Sequence, residues 1–263
     1  MIEIIRYNQT YKKQWNSFVA TSKNGTFLFD RNYMDYHSDH FKDYSLLIYK
    51  DNILKAIMPN SIDGLHTLTS HGGLTYGGLL TDHTIRTSEM LLIVEKIIEH
   101  LLQNDITEVF YKAIPHIYHK LPAEEDLYCL FRNNFELYRR DISSSININN
   151  TSVKGKKING AKRAQKLGME LVEVKECQSI LELVNANLKS KYGTGATHSV
   201  NELNLLKNRF DKNIKLYHAV LEGRILGGAV IYLTDTVAHA QYITTNNEGK
   251  SKRALDFMIV SIV

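Results

Sequence analysis

"YSLLIYKDNILKAIMPNSI", Tyr44 to Ile62, and "LYHAVLEGRILGGAVIYL", Leu216 to Leu233, are the two stretches that decide the fold. Each reads as a strand, a short polar turn and a second strand. The first turns at Lys50-Asp51-Asn52 and the second at Glu222-Gly223-Arg224. Laid over each other, "DNILKAIM" and "GRILGGAV" agree in phase and hydrophobicity at an offset of about 170 residues, the mark of an internal repeat. The likeness continues beyond the hairpin. A third strand is expected near "LHTLTS" (65–70) in one half and "VAHAQYIT" (237–244) in the other. A glycine-bearing loop follows each, "HGGLTYGGLLTDHT" and "TNNEGKS". Then comes a helix, "SEMLLIVEKIIEHLLQ" or "KRALDFMIVSIV".

The first copy goes on through "DITEVFYKAI", which reads as a strand, "AEEDLYCLFRNN", a helix, and "FELYRRDISSSI", a further strand. The second copy has no counterpart of these. Val263 therefore reads as the interior of a domain, with roughly 50 to 60 residues lacking by analogy with the first copy. A helix apolar on most faces needs cover all round, and a terminal carboxylate there is costly to bury. The alternative is a naturally short second domain whose last helix packs on the first.

Between the copies lies "NTSVKGKKINGAKRAQKLGMELVEV", crowded with basic residues from Lys154 to Lys166 and broken by Gly168 before the strand "MELVEV". "CQSILELVNANLKSKYG" reads as a helix with Ile180, Leu181, Val184 and Leu188 on one side. "SVNELNLLKNRF" reads as another, with Ser199 as N-cap and Glu202 completing a capping box. The expected domains are 1–140 and 141–263.

Composition sets the class. Hydrophobic residues at 43% and charged residues at 23% of 263 exclude a disordered chain. A net charge of +4 permits a polyanionic partner without calling for one, and nothing calls for DNA. Cys129 and Cys177 match no metal spacing and offer at most one disulfide; a reduced, cytoplasmic setting is the simpler reading. The opening "MIEIIRYNQTYKKQW" places Glu3 among its first apolar residues and does not read as a signal peptide. No stretch reaches the roughly 18 to 20 apolar residues of a membrane span.

Strand, two helices, a three-strand meander, a glycine-bearing loop and a helix, present twice, resemble the GNAT acyltransferase fold, and tandem copies resemble its FemAB-like branch. The pieces that carry the resemblance are "SHGGLTYGGLL" (Ser70–Leu80), "KINGAKRAQKLGMEL" (Lys157–Leu171), "THSVNEL" (Thr197–Leu203) and "HAQYITTNNEGKSKRALD" (His239–Asp256). The implied fold is α/β (α+β): two tandem GNAT-like domains with mixed sheets flanked by helices, the second lacking its last strands and helix. The implied activity is transfer of an acyl group from acetyl-CoA or another acyl-CoA to an amine or hydroxyl. The acceptor would be a small molecule, an amino sugar or a nucleotide-linked cell-wall or cell-surface precursor. An aminoacyl-tRNA donor is the runner-up, and the lack of a long charged coiled-coil arm argues against it. A non-catalytic binding module is the third reading. Its basis is that the donor cleft of the fold opens between the fourth and fifth strands, and only the fourth is present. A second copy of the chain, in a homodimer, would be one source of the other wall.

The resemblance places the donor loop at Asn246-Asn247-Glu248-Gly249-Lys250-Ser251. Backbone N–H groups at a helix start hold a pyrophosphate there. Gly249 and Ser251 fit; Asn246 stands where Gln or Arg is usual, and Glu248 adds a negative charge that Lys250, Lys252 and Arg253 would offset. The other reading is an ordinary loop before a solvated basic helix. Ile243 and Gln241 lie on the strand expected to line the thioester, and strand alternation sets His239, Gln241 and Ile243 on one face with Tyr242 on the other. His198, in the loop before the capped helix, is the candidate base; local capping or packing is its alternative. His71 and Tyr76 would touch an acceptor, or belong to a structural loop. Lys154, Lys156, Lys157, Lys162, Arg163 and Lys166 form either a solvated face or a phosphate-binding one. The eleven histidines form no pair at metal-binding spacing on a clear helix or strand, so no metal is expected.

Overall fold

The computed structural model describes residues 1–64, 66–148 and 155–263, so Lys154 lies outside the described residues. Two compact units emerge: Met1–Arg140 with Thr234–Val237, and Asp141–Leu233 with Ala238–Val263.

Unit 1 runs β1 (Ile2–Arg6), α1 (Lys12–Thr21), α2 (Arg31–Met34), β2 (Lys42–Asp43), β3 (Leu46–Lys50), β4 (Ile53–Met58), β5 (Ser61–Asp63) and β6 (Thr67–Thr69). It continues with β7 (Leu80–Thr81), α3 (Thr87–Gln103), β8 (Glu108–Phe110) and α4 (Glu125–Arg132). Asp51 and Asn52, between β3 and β4, both take positive φ. That is the two-residue turn whose twist matches that of the flanking strands. One sheet has the order β1-β3-β4-β7 and is antiparallel throughout; the other is β2-β5-β6-β8, with β6 and β8 parallel. Helix α3 lays Met90, Ile93, Val94, Ile97 and Leu101 against Leu46, Ile48, Ala56 and Met58, an apolar stripe at helical spacing on one sheet face.

Two expectations fail here. The third strand expected at 65–70 does not pair with β4. It is β6, in the second sheet, and the neighbour of β4 is β7. The chain doubles back through the glycine-bearing loop: Gly77 packs directly on the Ser70 carbonyl, and its N–H donates to Lys112 O at 2.9 Å. That return delivers Leu80 and Thr81 to Ile57 and Ala56. The strand expected over Phe135–Ile146 is absent as well. Among the described residues no ladder accepts it, and Tyr138 and Ile142 stand 82% and 99% exposed.

Unit 2 runs α5 (Lys156–Lys166), β9 (Glu170–Val174), α6 (Gln178–Tyr192), α7 (Val200–Arg209), β10 (Ile214–Leu221), β11 (Arg224–Leu233), β12 (Ala238–Thr245), α8 (Asn247–Ser251) and α9 (Ala254–Ile262). This is the order expected from the sequence, with the basic stretch now the helix α5 and part of the expected loop now the short helix α8. The sheet β12-β11-β10-β9 is antiparallel, and β12 is its edge. Ser199 and Glu202 form the capping box of α7, and Gly193 ends α6 in the left-handed conformation. On one sheet face Ala164, Ala254, Phe257 and Met258 pack on Ala219, Leu226, Ala229 and Ile231. Helix α6 covers the other face, where Ser179 and His218 share a 2.7 Å hydrogen bond.

The close approach at Gly77 yields a stability prediction. Gly77→Ala would force a methyl into the Ser70 carbonyl. It should destabilise unit 1 by about 1–3 kcal/mol. Trp15 is the protein's single tryptophan, fully buried with its indole N–H on Phe29 O at 2.8 Å. Its fluorescence during urea unfolding reports this unit, and an unchanged midpoint would contradict the packing described.

Candidate functional site

Along β12 the pairing with β11 runs Thr245 to Gly227, Thr244 to Gly228, Ile243 to Ala229 and Tyr242 to Val230. It then jumps to Ala240 on Ile231 and His239 on Tyr232. Gln241 is the extra residue of a β-bulge, which leaves it out of the ladder and turns the strand. Residues paired across a sheet share a face, so the bulge overturns the alternation expected from sequence. His239 lies on the face of Tyr232 and Tyr242, whereas Ile243 packs with Ala229 on the α5–α9 side. His239 and Gln241 do interact: burial holds the His239 ring below its ordinary pKa, with the hydrogen bond to Gln241 acting the other way.

A groove of about 630 Å³ follows the edge of β12 from Ala240 to Thr245. One wall comes from α6, whose Val184, Asn187, Leu188 and Lys191 fall at one helical spacing; the other comes from Lys157, Lys250, Arg253, Leu255 and Asp256. Asn187 fixes the first wall to the strand, donating through Nδ2 to Thr244 Oγ1 and to Thr245 O, the latter at 3.0 Å. Asp256 anchors the second. It is buried, pairs with Lys157 Nζ at 3.0 Å and Arg253 Nη1 at 3.5 Å, and packs on Gly160, where any side chain would collide with its carboxylate. Lys157, Lys191, Lys250 and Arg253 thus set four cations against one carboxylate among the lining residues.

The loop residues serve α8 first. Asn246 is its N-cap, accepting from Gly249 N at 2.7 Å and donating to Ile225 O at 3.2 Å. Gly249 is glycine because its α-carbon rests on the Leu226 carbonyl, where a β-carbon has no room. Ser251 Oγ donates to Glu248 O at 2.8 Å, and Lys250 Nζ reaches Asn247 Oδ1 at 3.2 Å. Glu248 is paired with Arg224 at 2.9 Å, so the cation beside it is not one of the three expected. Arg253 takes the left-handed conformation that breaks α8 from α9, with Lys252 just before it.

His198 is buried, its Nδ1 2.8 Å from the Tyr242 hydroxyl. Tyr242 lines the groove and His198 does not. Gln241 and Ile243 also line it, and His239 does not. His71 and Tyr76 belong to unit 1. Tyr76 is a core residue, its hydroxyl 3.1 Å from Thr26 Oγ1 and its ring against Phe29 and Tyr118. Lys162, Arg163 and Lys166 lie on the exposed side of α5, opposite buried Gly160, Ala161 and Ala164. Sequence reading missed Asn187, Lys191, Tyr242 and Asp256. The polar residues interleaved with Val184 and Leu188 on one stripe of α6 were the available signal. Among the described residues no cluster of metal-binding side chains occurs, and no helix is long and apolar enough to cross a membrane.

No protein-family model matches the sequence, and no curated protein matches it significantly. Solved structures do match. FemX is similar over 99% of this chain and 84% of its own, at 10% identity and a TM-score of 0.66. The C-terminal domain of a putative lysylphosphatidylglycerol synthetase from Agrobacterium fabrum is similar over 97% of this chain and 74% of its own, at 12% identity and a TM-score of 0.57. With the order of elements described above, these likenesses give the chain the mixed α/β fold of tandem GNAT-like domains.

His71 gives a pH-dependent prediction. Burial first, then the neighbouring His37, Arg31 and Lys112, lowers its pKa to about 3. The unfolded chain takes up the proton near pH 6.5, while the folded chain resists it. Stability held above pH 6.5 is therefore lost as pH falls toward 3. Between pH 7 and 5 wild type should lose about 2 kcal/mol more than His71→Asn. Urea titrations followed at Trp15 check this, and parallel curves for the two proteins would contradict it.

Proposed function

We propose that this chain is an acyltransferase whose donor lies along the free edge of β12. The observation that carries the proposal is the groove itself, a strand edge unpaired among the described residues, with a bulge at its centre and a strongly cationic rim. An extended pantetheine-like arm can pair with a strand edge, as peptides do in β-augmentation, while phosphates meet Lys191, Lys250 and Arg253. Acetyl-CoA or another acyl-CoA has both parts. The N–H of Gln241, outside the ladder, is the candidate to polarise the acyl carbonyl.

The acceptor is an amine or hydroxyl of an amino sugar or cell-envelope precursor. Its nitrogen attacks the thioester carbonyl carbon, the C–S bond breaks and the thiolate leaves. As the nitrogen is acylated its proton passes to the Tyr242 oxygen while the tyrosine proton passes to His198 Nδ1. The proton later returns to the thiolate through solvent. In this arrangement His198 acts through Tyr242, and Lys157 and Asp256 hold the groove wall.

A second donor, an aminoacyl-tRNA, is favoured by one observation: the Gly249 N–H, the loop donor expected on a pyrophosphate, is already bonded to Asn246. The two donors separate in one experiment. Calorimetric titration with acetyl-CoA should show micromolar binding, weakened at least tenfold in the Lys191→Glu/Lys250→Glu double variant. Tyr242→Phe should then lower kcat by about 10²-fold or more with KM little changed. Absent acetyl-CoA binding together with steeply salt-dependent tRNA binding would transfer the site to the second donor. Absence of both would overturn the proposal.

A further inference from the structure

Unit 1 holds a cavity of its own, of about 330 Å³, within the size range of small-ligand sites. Its inner wall is made by three buried polar side chains, Arg31, His37 and His71, beside the buried Met34. Arg31 lies over the Tyr7 ring at 3.7 Å and pairs with Asp35 at 2.9 Å and with Asp43, while Lys12 Nζ approaches Asp35 at 3.4 Å. Two cations thus meet two carboxylates in this cluster, with Lys12 standing behind the lining and Arg31, Asp35 and Asp43 in it. His71 Nδ1 is buried without a hydrogen-bond partner, and its ring lies 5.1 Å from that of His37. A buried polar atom left unsatisfied costs about 1–3 kcal/mol, so this one is explained best by a partner that arrives with a ligand.

The wall is built rather than incidental. At Gly72 a β-carbon would stand 2.9 Å from the Phe41 ring, and at Gly73 it would overlap the His37 ring. The paired glycines let His37 and Phe41 close over His71, which itself holds a left-handed backbone conformation. Burial keeps the His71 imidazole neutral. A hydroxyl both donates and accepts, and so satisfies Nδ1 in either tautomer of that ring. An incoming anion would face Asp35 and Asp43, and an incoming cation would face Arg31. Carboxylates, the amides of Asn8 and Gln9, and the ring faces of Tyr7 and Phe41 suit hydroxyls and the apolar face of a small ring.

We infer that this cavity binds an uncharged polyhydroxylated ligand the size of one sugar ring. The inference stands on unit 1 alone and does not depend on the acyl-donor reading.

The test uses the full chain without any acyl donor. Ligand-observed NMR titrations would compare glucose, galactose and N-acetylglucosamine with cationic glucosamine and anionic N-acetylglucosamine 1-phosphate. Two variants accompany them. Ser38→Trp fills the cavity mouth from an exposed position, and His71→Asn keeps a polar side chain that tolerates positive φ. Unchanged far-UV circular dichroism and an unchanged thermal unfolding midpoint show that each is folded. The expected result is millimolar binding of at least one uncharged sugar, weakened tenfold or more in both variants, with no charged analogue binding tighter. No uncharged sugar binding up to about 50 mM, binding that survives Ser38→Trp, or tenfold preference for either charged analogue would overturn the inference.

Discussion

Two adjacent glycines in β11 set the geometry on which unit 2 depends. A β-carbon at Gly227 would sit 2.8 Å from Met258 Cε of α9, and one at Gly228 would sit 2.9 Å from Ile180 Cγ1 of α6. The sheet is therefore bare at its centre on both faces, and a helix presses into each gap. Those same helices become the two walls of the groove, so the spacing of the walls follows from the absence of two side chains. Packing at this density transmits displacement; a larger residue at either position would move a wall. The edge strand between them is held by Asn187 on one side and by the close approach of Gly249 to Thr245 on the other.

Much of this architecture was legible in the sequence because it rests on short-range signals. The hairpin turns at Asp51-Asn52 and Glu222-Gly223, the apolar stripe of α3 and the capping box of Ser199 and Glu202 are local patterns that tertiary contacts reinforce. What was not legible was decided at longer range. Strand β6 carries a credible strand pattern, but its partner is β8, and only the fold of the glycine-bearing loop assigns β7 to β4. The segment from Phe135 alternates well enough for a strand, yet a strand exists only where a ladder receives it.

The site shows the same division. Gln241 was singled out for its place on the fourth strand, and it is the bulge residue; the bulge itself has no signature in "HAQYITT", and it moves His239 to the face of Tyr242, away from Ile243. Asn246 was read by its position in a donor loop, whereas its amide is committed to capping, a role its residue type favours anywhere. Asp256 sits in an apolar run and drew no notice, because its partners Lys157 and Arg253 come from elsewhere in the sequence or from a turn the helix makes before it starts.

The central claim is that the donor lies on the edge of β12, and hydrogen–deuterium exchange with and without acetyl-CoA tests it most directly. The account predicts slowed exchange across Ala240–Thr245 and the facing turn of α6 around Asn187, with little change in β9 and β10. Binding accompanied by protection elsewhere, with the edge of β12 exchanging as before, would contradict it.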